Sequence, residues 1–287
     1  MIRMRLPAVM RKGDDRPDWS NGQLHRYSNV RIHISPGCPN DGSRIEMSNG
    51  TRVATPGEVR DLGYEDGARL PCGPWRPLTR WESDRLMLTK VPDSMAESIC
   101  LLRLPWLSTE TRDAIAANDM DAVRDNVVAP ISRICRLDEP LDVIGVAGHP
   151  PGRETVTIDR DVGKSIGLHV DSWDNLDLEQ RGKSTNRICV NVGYGHRYFL
   201  FLPFSLMEIA SILSKETDTG PASLLPSNLF ERTFMDKFPH VPVVRCRLAP
   251  GDAYIAPTEN LIHDGSSEGG HDMDVTFTIR GHLGLPK

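Results

Sequence analysis

"GLHVDSWD", residues 167–174, sets His169 and Asp171 two positions apart in a stretch that reads as a β-strand. Side chains two apart on a strand leave the same face, so the imidazole and the carboxylate can share one ion at ligand distances of about 2 Å. A third ligand must come from elsewhere. The best candidate is His263 in "PGDAYIAPTENLIHDGSS" (residues 250–267), where Pro250-Gly251-Asp252 supplies a turn and "AYIAP" a strand. The apolar pair before His263 argues that it ends a buried strand. His282 is the rival for this place, and His271, in a Gly-rich loop, reads as solvated.

Around this stretch lies a run of about eight short segments, β-branched or aromatic and separated by turn residues. They are "LDVIGVAG", "ETVTID", "GLHVDSW", "NRICVNVGY", "HRYFLFLPF", "VVRCRLA", "AYIAP" and "DVTFTIRGHL". Two amphipathic helices interrupt them, "SLMEIASILSK" and "SNLFERTFMDKF", opening on Ser205 and Ser227 as caps. The pattern predicts a mostly β chain with flanking helices and a double-sheet jelly-roll core, the cupin-like architecture. Residues 137–287 would form that core, 94–136 a helical block with Ser108 as an N-cap and Pro130 as an end or kink, and 1–93 a strand-and-loop elaboration, all within one domain.

Composition narrows the function classes. The chain has 287 residues, 39% apolar and 25% charged, with a formal charge of −5, enough to bury a core and without general attraction to nucleic acid or anionic lipid. Six dispersed cysteines without a C-x-x-C pair read as reduced thiols. No stretch approaches the roughly 18 apolar residues of a membrane span, and the basic start lacks a signal-peptide core, so a cytoplasmic protein is expected. The "NGT" at Asn49 reads as a chance match to a glycosylation acceptor. "RGKST" at 181–185 lacks the upstream glycine of a phosphate-binding loop, and "GYGHRY" from Gly193 lacks the third glycine of a dinucleotide fingerprint. G-x-S-x-G and H-E-x-x-H are absent.

Two histidines and one carboxylate, with the remaining coordination positions open, form the facial triad of non-haem Fe(II) oxygenases. Three ligands on one face of an octahedron leave three positions for a bidentate cosubstrate and O2. In "DVTFTIRGHL", alternation puts Thr276, Thr278, Arg280 and His282 on one face, a polar lining in which Arg280 offers a bidentate fork to a carboxylate. Tyr198 and Asn191 are further candidates for bonding a cosubstrate, with a structural role the favoured reading of each taken singly. Trp173 and Asp174 follow the H-x-D directly, at a place for touching a substrate or, equally for Trp173, for packing alone, and Arg187, Arg197 or Asp174 could meet a substrate's charged groups.

His169-Val170-Asp171, then His263, then Arg280 resembles the H-x-D…H…R signature of the Fe(II)/2-oxoglutarate-dependent oxygenases, over roughly residues 140–285. Arg280 lies further beyond His263 than the family's usual spacing, with "SSEGGHDMD" between them. The resemblance implies a double-stranded β-helix, His169, Asp171 and His263 as iron ligands, and Arg280 as the partner of the 2-oxoglutarate C5 carboxylate, with Thr278 beside it. It also implies consumption of O2 and 2-oxoglutarate, succinate and CO2 as coproducts, and hydroxylation of a C–H bond. Asp171 stands where the family's halogenases carry a small residue, which disfavours halogenation. The expected substrate is a small molecule, a free amino or imino acid or a specialised metabolite such as one of antibiotic biosynthesis. Two competing classes are a cupin-like protein that binds metal or ligand without 2-oxoglutarate turnover, and an oxygenase that uses no 2-oxo acid. Oligomeric state is open.

Overall fold

The computed structural model describes residues 44–77, 86–91, 141–216 and 227–284, together with 32–34, 98, 125–126, 129 and 136–137. The helical block expected over 94–136, with Ser108 and Pro130, therefore lies almost wholly outside the described residues. In chain order the strands are β1 (Ile32–Ile34), β2 (Ile45–Met47), β3 (Gly50–Val53), β4 (Tyr64–Cys72), β5 (Arg76–Pro77), β6 (Leu86–Lys90), β7 (Arg136–Leu137), β8 (Asp142–His149) and β9 (Ile158–Asp159). They continue with β10 (Lys164–Gly167), β11 (Asn186–Asn191), β12 (Arg197–Ser205), β13 (Val244–Leu248), β14 (Asp252–Ala256), β15 (Leu261–Ser266), β16 (Asp274–Gly281) and β17 (Leu283–Gly284). The helices are α1 (Pro56–Asp61), α2 (Leu206–Glu216) and α3 (Ser227–Lys237).

Two sheets carry the core. One runs β1-β6-β14-β11-β16-β8 and the other β15-β12-β13-β2-β5. From β11 onward the chain crosses between them at nearly every connection, which makes the core a double-stranded β-helix, or jelly roll. Strands of the N-terminal part lengthen both sheets, while β3-β4-β10-β9 form a third.

Alternation explains the layers. Along β12, Phe199 and Phe201 point between the sheets with Cys189, Val244, Cys246 and Tyr254, and the rings of Phe199 and Tyr254 stack with centroids 4.0 Å apart. Leu200, Leu202 and Phe204 point the other way, onto Ile209 and Leu213 of α2 and Phe230 and Phe234 of α3. A strand buried on both faces reads as an unbroken apolar run, as "YFLFLPF" does. Ser205 caps α2 as expected: its Oγ accepts from Glu208 N at 3.4 Å, and Glu208 Oε2 accepts from Ser205 N at 2.8 Å.

Most of the predicted strands are present, with two differences. "ETVTID" forms a strand only at Ile158–Asp159. "GLHVDSW" does not continue as a strand, because β10 ends at Gly167. There Gly167 has φ +74° and its backbone passes so close to β4 that a Cβ would strike the Arg69 carbonyl. Leu168 N then donates to Arg69 O at 2.8 Å, and His169 bridges to His263 on β15. Through that bridge the third sheet joins the β15 edge of the second, so the H-x-D segment lies at a seam.

Gly167→Ala is expected to destabilise the protein by about 2 kcal/mol or more, from the left-handed backbone and the contact with Arg69 together. Urea denaturation measures this, and a change under about 0.5 kcal/mol, typical of a neutral surface site, would contradict it.

Candidate metal centre

Backbone pairing brings the two histidines together. His169 N donates to His263 O at 3.0 Å and His263 N to His169 O at 2.8 Å, the reciprocal pair that sets opposite residues of an antiparallel ladder on one face. Their ring centroids lie 4.8 Å apart. His263 therefore sits within β15 rather than at its end, and a register shift between Phe201 and Ser205 on β12 lies against it.

Each ring is oriented by a main-chain carbonyl. His169 Nδ1 is 2.9 Å from Gly167 O, and His263 Nδ1 is 3.1 Å from Leu261 O. A carbonyl only accepts, so each Nδ1 carries hydrogen and each Nε2 is the atom left to ligate. Both Nε2 atoms face Asp171, at 3.6 Å from Oδ1 for His169 and 3.7 Å from Oδ2 for His263. One ligand atom from each of the three residues lies within 4.8 Å of the others, and all three side chains are buried.

Asp171 Oδ2 is buried without a hydrogen-bond donor, although the Arg187 guanidinium is 2.8 Å away as an ion pair. A shielded carboxylate oxygen short of a donor, facing two imidazole nitrogens, suits a divalent cation. A donor set of two imidazoles and one carboxylate matches Fe(II) in oxygenase centres. Charges within the trio are strongly coupled. Burial opposes ionisation of Asp171, but His263, His169 and Arg187 hold its carboxyl well below the usual range. Burial also opposes the charge on His169, yet Asp171 and Asp264 raise it to about 9. Burial pushes His263 down to about 3 against the pull of Asp171. A cation held there would compete with protons for the two Nε2 atoms.

The other predicted residues divide by depth and by face. Arg187 lies beside the trio, and Thr278 is paired with Cys189 one step deeper, its Oγ1 3.7 Å from the thiol. Arg197 lies deeper still, 3% exposed, with Nε donating to Asp274 at 2.8 Å and Nη1 3.5 Å from Cys189 Sγ. Arg280 pairs across from Arg187 at the mouth, and its Nη2 is already engaged, donating to Asp174 at 2.7 Å and to Thr185 Oγ1 at 3.2 Å. Trp173, 51% exposed, covers its guanidinium at 5.1 Å.

Two expectations change. Asn191 spends both ends of its amide on main chain, donating to Gly195 O and Leu248 O and accepting from Gly193 N, so it closes the β11–β12 turn and has nothing free for a cosubstrate. Tyr198 packs with the α2/α3 layer, under Arg245 at 4.4 Å, because its place between Arg197 and Phe199 turns it away from the barrel. His282 Nε2 lies 3.1 Å from Lys183 O, away from the trio.

Residues that sequence reasoning missed support the ligands from behind. Asp264, fully buried, has Oδ2 3.9 Å from His169 Nδ1 and accepts from Thr157 Oγ1 at 2.7 Å through Oδ1. Glu231 on α3 accepts from Val170 N, between the two H-x-D ligands, and burial pushes its carboxyl up to about 7. Arg181 donates to Asp171 O at 2.8 Å. The one signal available beforehand was Asp264 directly after His263.

No protein-family model and no curated protein matches the chain. Several solved structures are similar to it at low identity. HygX from Streptomyces hygroscopicus with iron bound is 15% identical at a TM-score of 0.33, over 69% of this chain and 83% of that one. The non-heme alpha ketoglutarate dependent epimerase SnoN from nogalamycin biosynthesis is 12% identical at 0.29, over 69% and 79%. The Kdo hydroxylase KdoO, a non-heme Fe(II) alphaketoglutarate dependent dioxygenase in complex with cobalt(II), is 12% identical at 0.31, over 70% and 80%. At this distance the chemistry of the present site rests on its own geometry.

Glu231 yields a pH prediction. Its ordinary value is 4.5, so as pH rises from there through about 7 the unfolded chain loses the proton first and the stability contributed by the neutral buried form is lost. Glu231→Gln keeps that site neutral, so its stability relative to the wild type should rise between about pH 5 and about pH 8 by on the order of 2 kcal/mol. A pH-independent difference in urea denaturation would contradict this.

Proposed function

We propose that the protein is an Fe(II)- and 2-oxoglutarate-dependent oxygenase that hydroxylates a small molecule, releasing succinate and CO2. The observation that carries this reading is the convergence of the buried His169 Nε2, His263 Nε2 and Asp171 carboxylate within a jelly roll. When bound there, a ferrous ion supplies a centre that activates O2 with a 2-oxo acid beside it. Asp171 would reduce the formal charge of that centre to +1, which would favour an anionic cosubstrate, and the two histidines would hold the ion together with it.

The barrel interior supports a dianionic cosubstrate. Arg187 lies at the metal level and Arg197 below it, with Thr278 between their levels across from Cys189. We assign the far carboxylate to Arg197 Nη1 and the Thr278 hydroxyl instead of Arg280, because Arg280 sits at the mouth beside Asp174 whereas Arg197 lies below the trio, next to Cys189 and Thr278. Nη1 of Arg197 meets only a thiol among its hydrogen-bond partners, a weak acceptor that a carboxylate would supplant. The exposed indole of Trp173, with Arg280 and Asp174 beneath it, faces the mouth and would receive the substrate, which we take to be an amino or imino acid or another specialised metabolite.

Anaerobic addition of Fe(II) and 2-oxoglutarate should produce a weak visible charge-transfer band, absent in Asp171→Ala; aerobic turnover with candidate substrates should then release succinate. Metal binding without the band would favour a cupin-like binding protein. Arg197→Met combined with Asp274→Asn, which avoids stranding a buried carboxylate, should raise the 2-oxoglutarate concentration for half-maximal band by about thirtyfold or more, the loss for a truncated buried charge pair. Arg280→Met should change it less than about threefold, in the range of a solvent-side pair. The reverse ranking would return the far carboxylate to Arg280.

A further inference from the structure

Past Gly167, the ligand-bearing segment has a single ladder pairing, the His169–His263 bridge. That bridge fixes His169 directly and leaves Asp171 to be held by other means. Asp171 N reaches Thr258 O at a long 3.3 Å. Its carbonyl is held more tightly, by Arg181, which comes from a 3-10 turn at Leu178–Lys183 and is 6% exposed. Nη1 donates to Asp171 O at 2.8 Å, and Nη2 of the same fork donates to Ser172 Oγ at 3.0 Å. Glu259, 1% exposed, lies 3.5 Å from Nη1 and balances the charge. It also accepts from Asp174 N at 3.1 Å, so the pair grips the segment on both sides of Trp173.

A buried guanidinium persists where its charge and its donors are both matched. Here the donors are matched by the main chain of a ligand residue and by the hydroxyl next to it. Aspartate has one torsion between Cα and the carboxylate carbon, so where its peptide lies largely decides where its oxygens lie. A metal site needs its ligands held to about 0.5 Å, a tolerance that a segment without strand partners does not meet unaided.

We propose that Arg181 is a positioning residue for the metal centre: its fork fixes the Asp171 carbonyl and the Ser172 hydroxyl and so presents the Asp171 carboxylate to the two Nε2 atoms. This rests on the metal trio of the proposed function. Lysine in its place would keep the charge opposite Glu259 but, as a point charge without a planar fork, could not hold both acceptors.

The test is titration of Arg181→Lys, and separately of Arg181→Met with Glu259→Gln, with cobalt(II), whose visible spectrum reports ligand geometry, alongside thermal unfolding without metal. Both variants should fold, bind cobalt about ten- to a hundredfold more weakly, the usual effect of removing a supporting group, and show an altered band shape. Arg245→Lys is the control. Arg245 is also largely buried but is stacked between Trp75 and Tyr198 at 4.1 and 4.4 Å, away from the trio, and its substitution should leave the titration unchanged. Wild-type affinity and spectrum in either folded Arg181 variant would overturn the role of Arg181 alone. A wild type that binds no cobalt would overturn the metal trio with it.

Discussion

The two reciprocal hydrogen bonds between His169 and His263 are the constraint on which the site depends. They join the seam between two sheets and set two imidazoles on one face, so the fold and the metal centre are consequences of the same pairing. Because a shift of one residue in an antiparallel register turns a side chain to the opposite face, slippage at this bridge would dissolve the donor set while leaving most of the barrel intact. Gly167 makes the approach possible by bringing the chain against β4 just before the bridge, and the register of β15 on β12 sets His263 opposite Phe201, on the face between the sheets.

Charge follows depth in the barrel. Asp171, the two histidines and Arg187 form the upper level, and Arg197 with Asp274 the lower. Arg280 and Asp174 close a separate pair at the mouth beneath an exposed indole. Each cation is tied to a carboxylate, so none is left as an isolated buried charge. What distinguishes the levels is place and partner: Arg280 meets Asp174 and Thr185 beside an exposed indole, whereas Arg197 is 3% exposed and turns Nη1 to the Cys189 sulfur. No helix among the described residues is long and apolar enough to cross a membrane.

Much of this architecture was legible in the sequence because period-two strands with β-branched and aromatic residues announce themselves, and because His169, Asp171 and His263 lie in local contexts of strand and turn. Other features depend on register, which spacing along the chain does not reveal. Arg280 has the right parity to face inward, yet its pairing with Arg187 puts it at the mouth instead of the floor. Tyr198 shows a related limit: in a strand apolar on both faces, composition carries no sign of which face looks into the barrel. The end of the strand in "GLHVDSW" is likewise not signalled locally, because Gly167 ends β10 through a tertiary approach to Arg69. Arg181, Glu231 and Asp264 reach the trio from a turn, a helix and a strand that only the fold brings together, and the one local sign among them is that Asp264 directly follows His263.

A crystal grown with cobalt(II) or manganese(II) and examined by anomalous scattering tests the central claim most directly. One ion should appear within about 2.0–2.3 Å of His169 Nε2, His263 Nε2 and an Asp171 carboxylate oxygen, with coordination positions open toward Arg187 and the barrel interior. An ion bound elsewhere, or none at saturating metal while these three side chains remain ordered, would contradict the account.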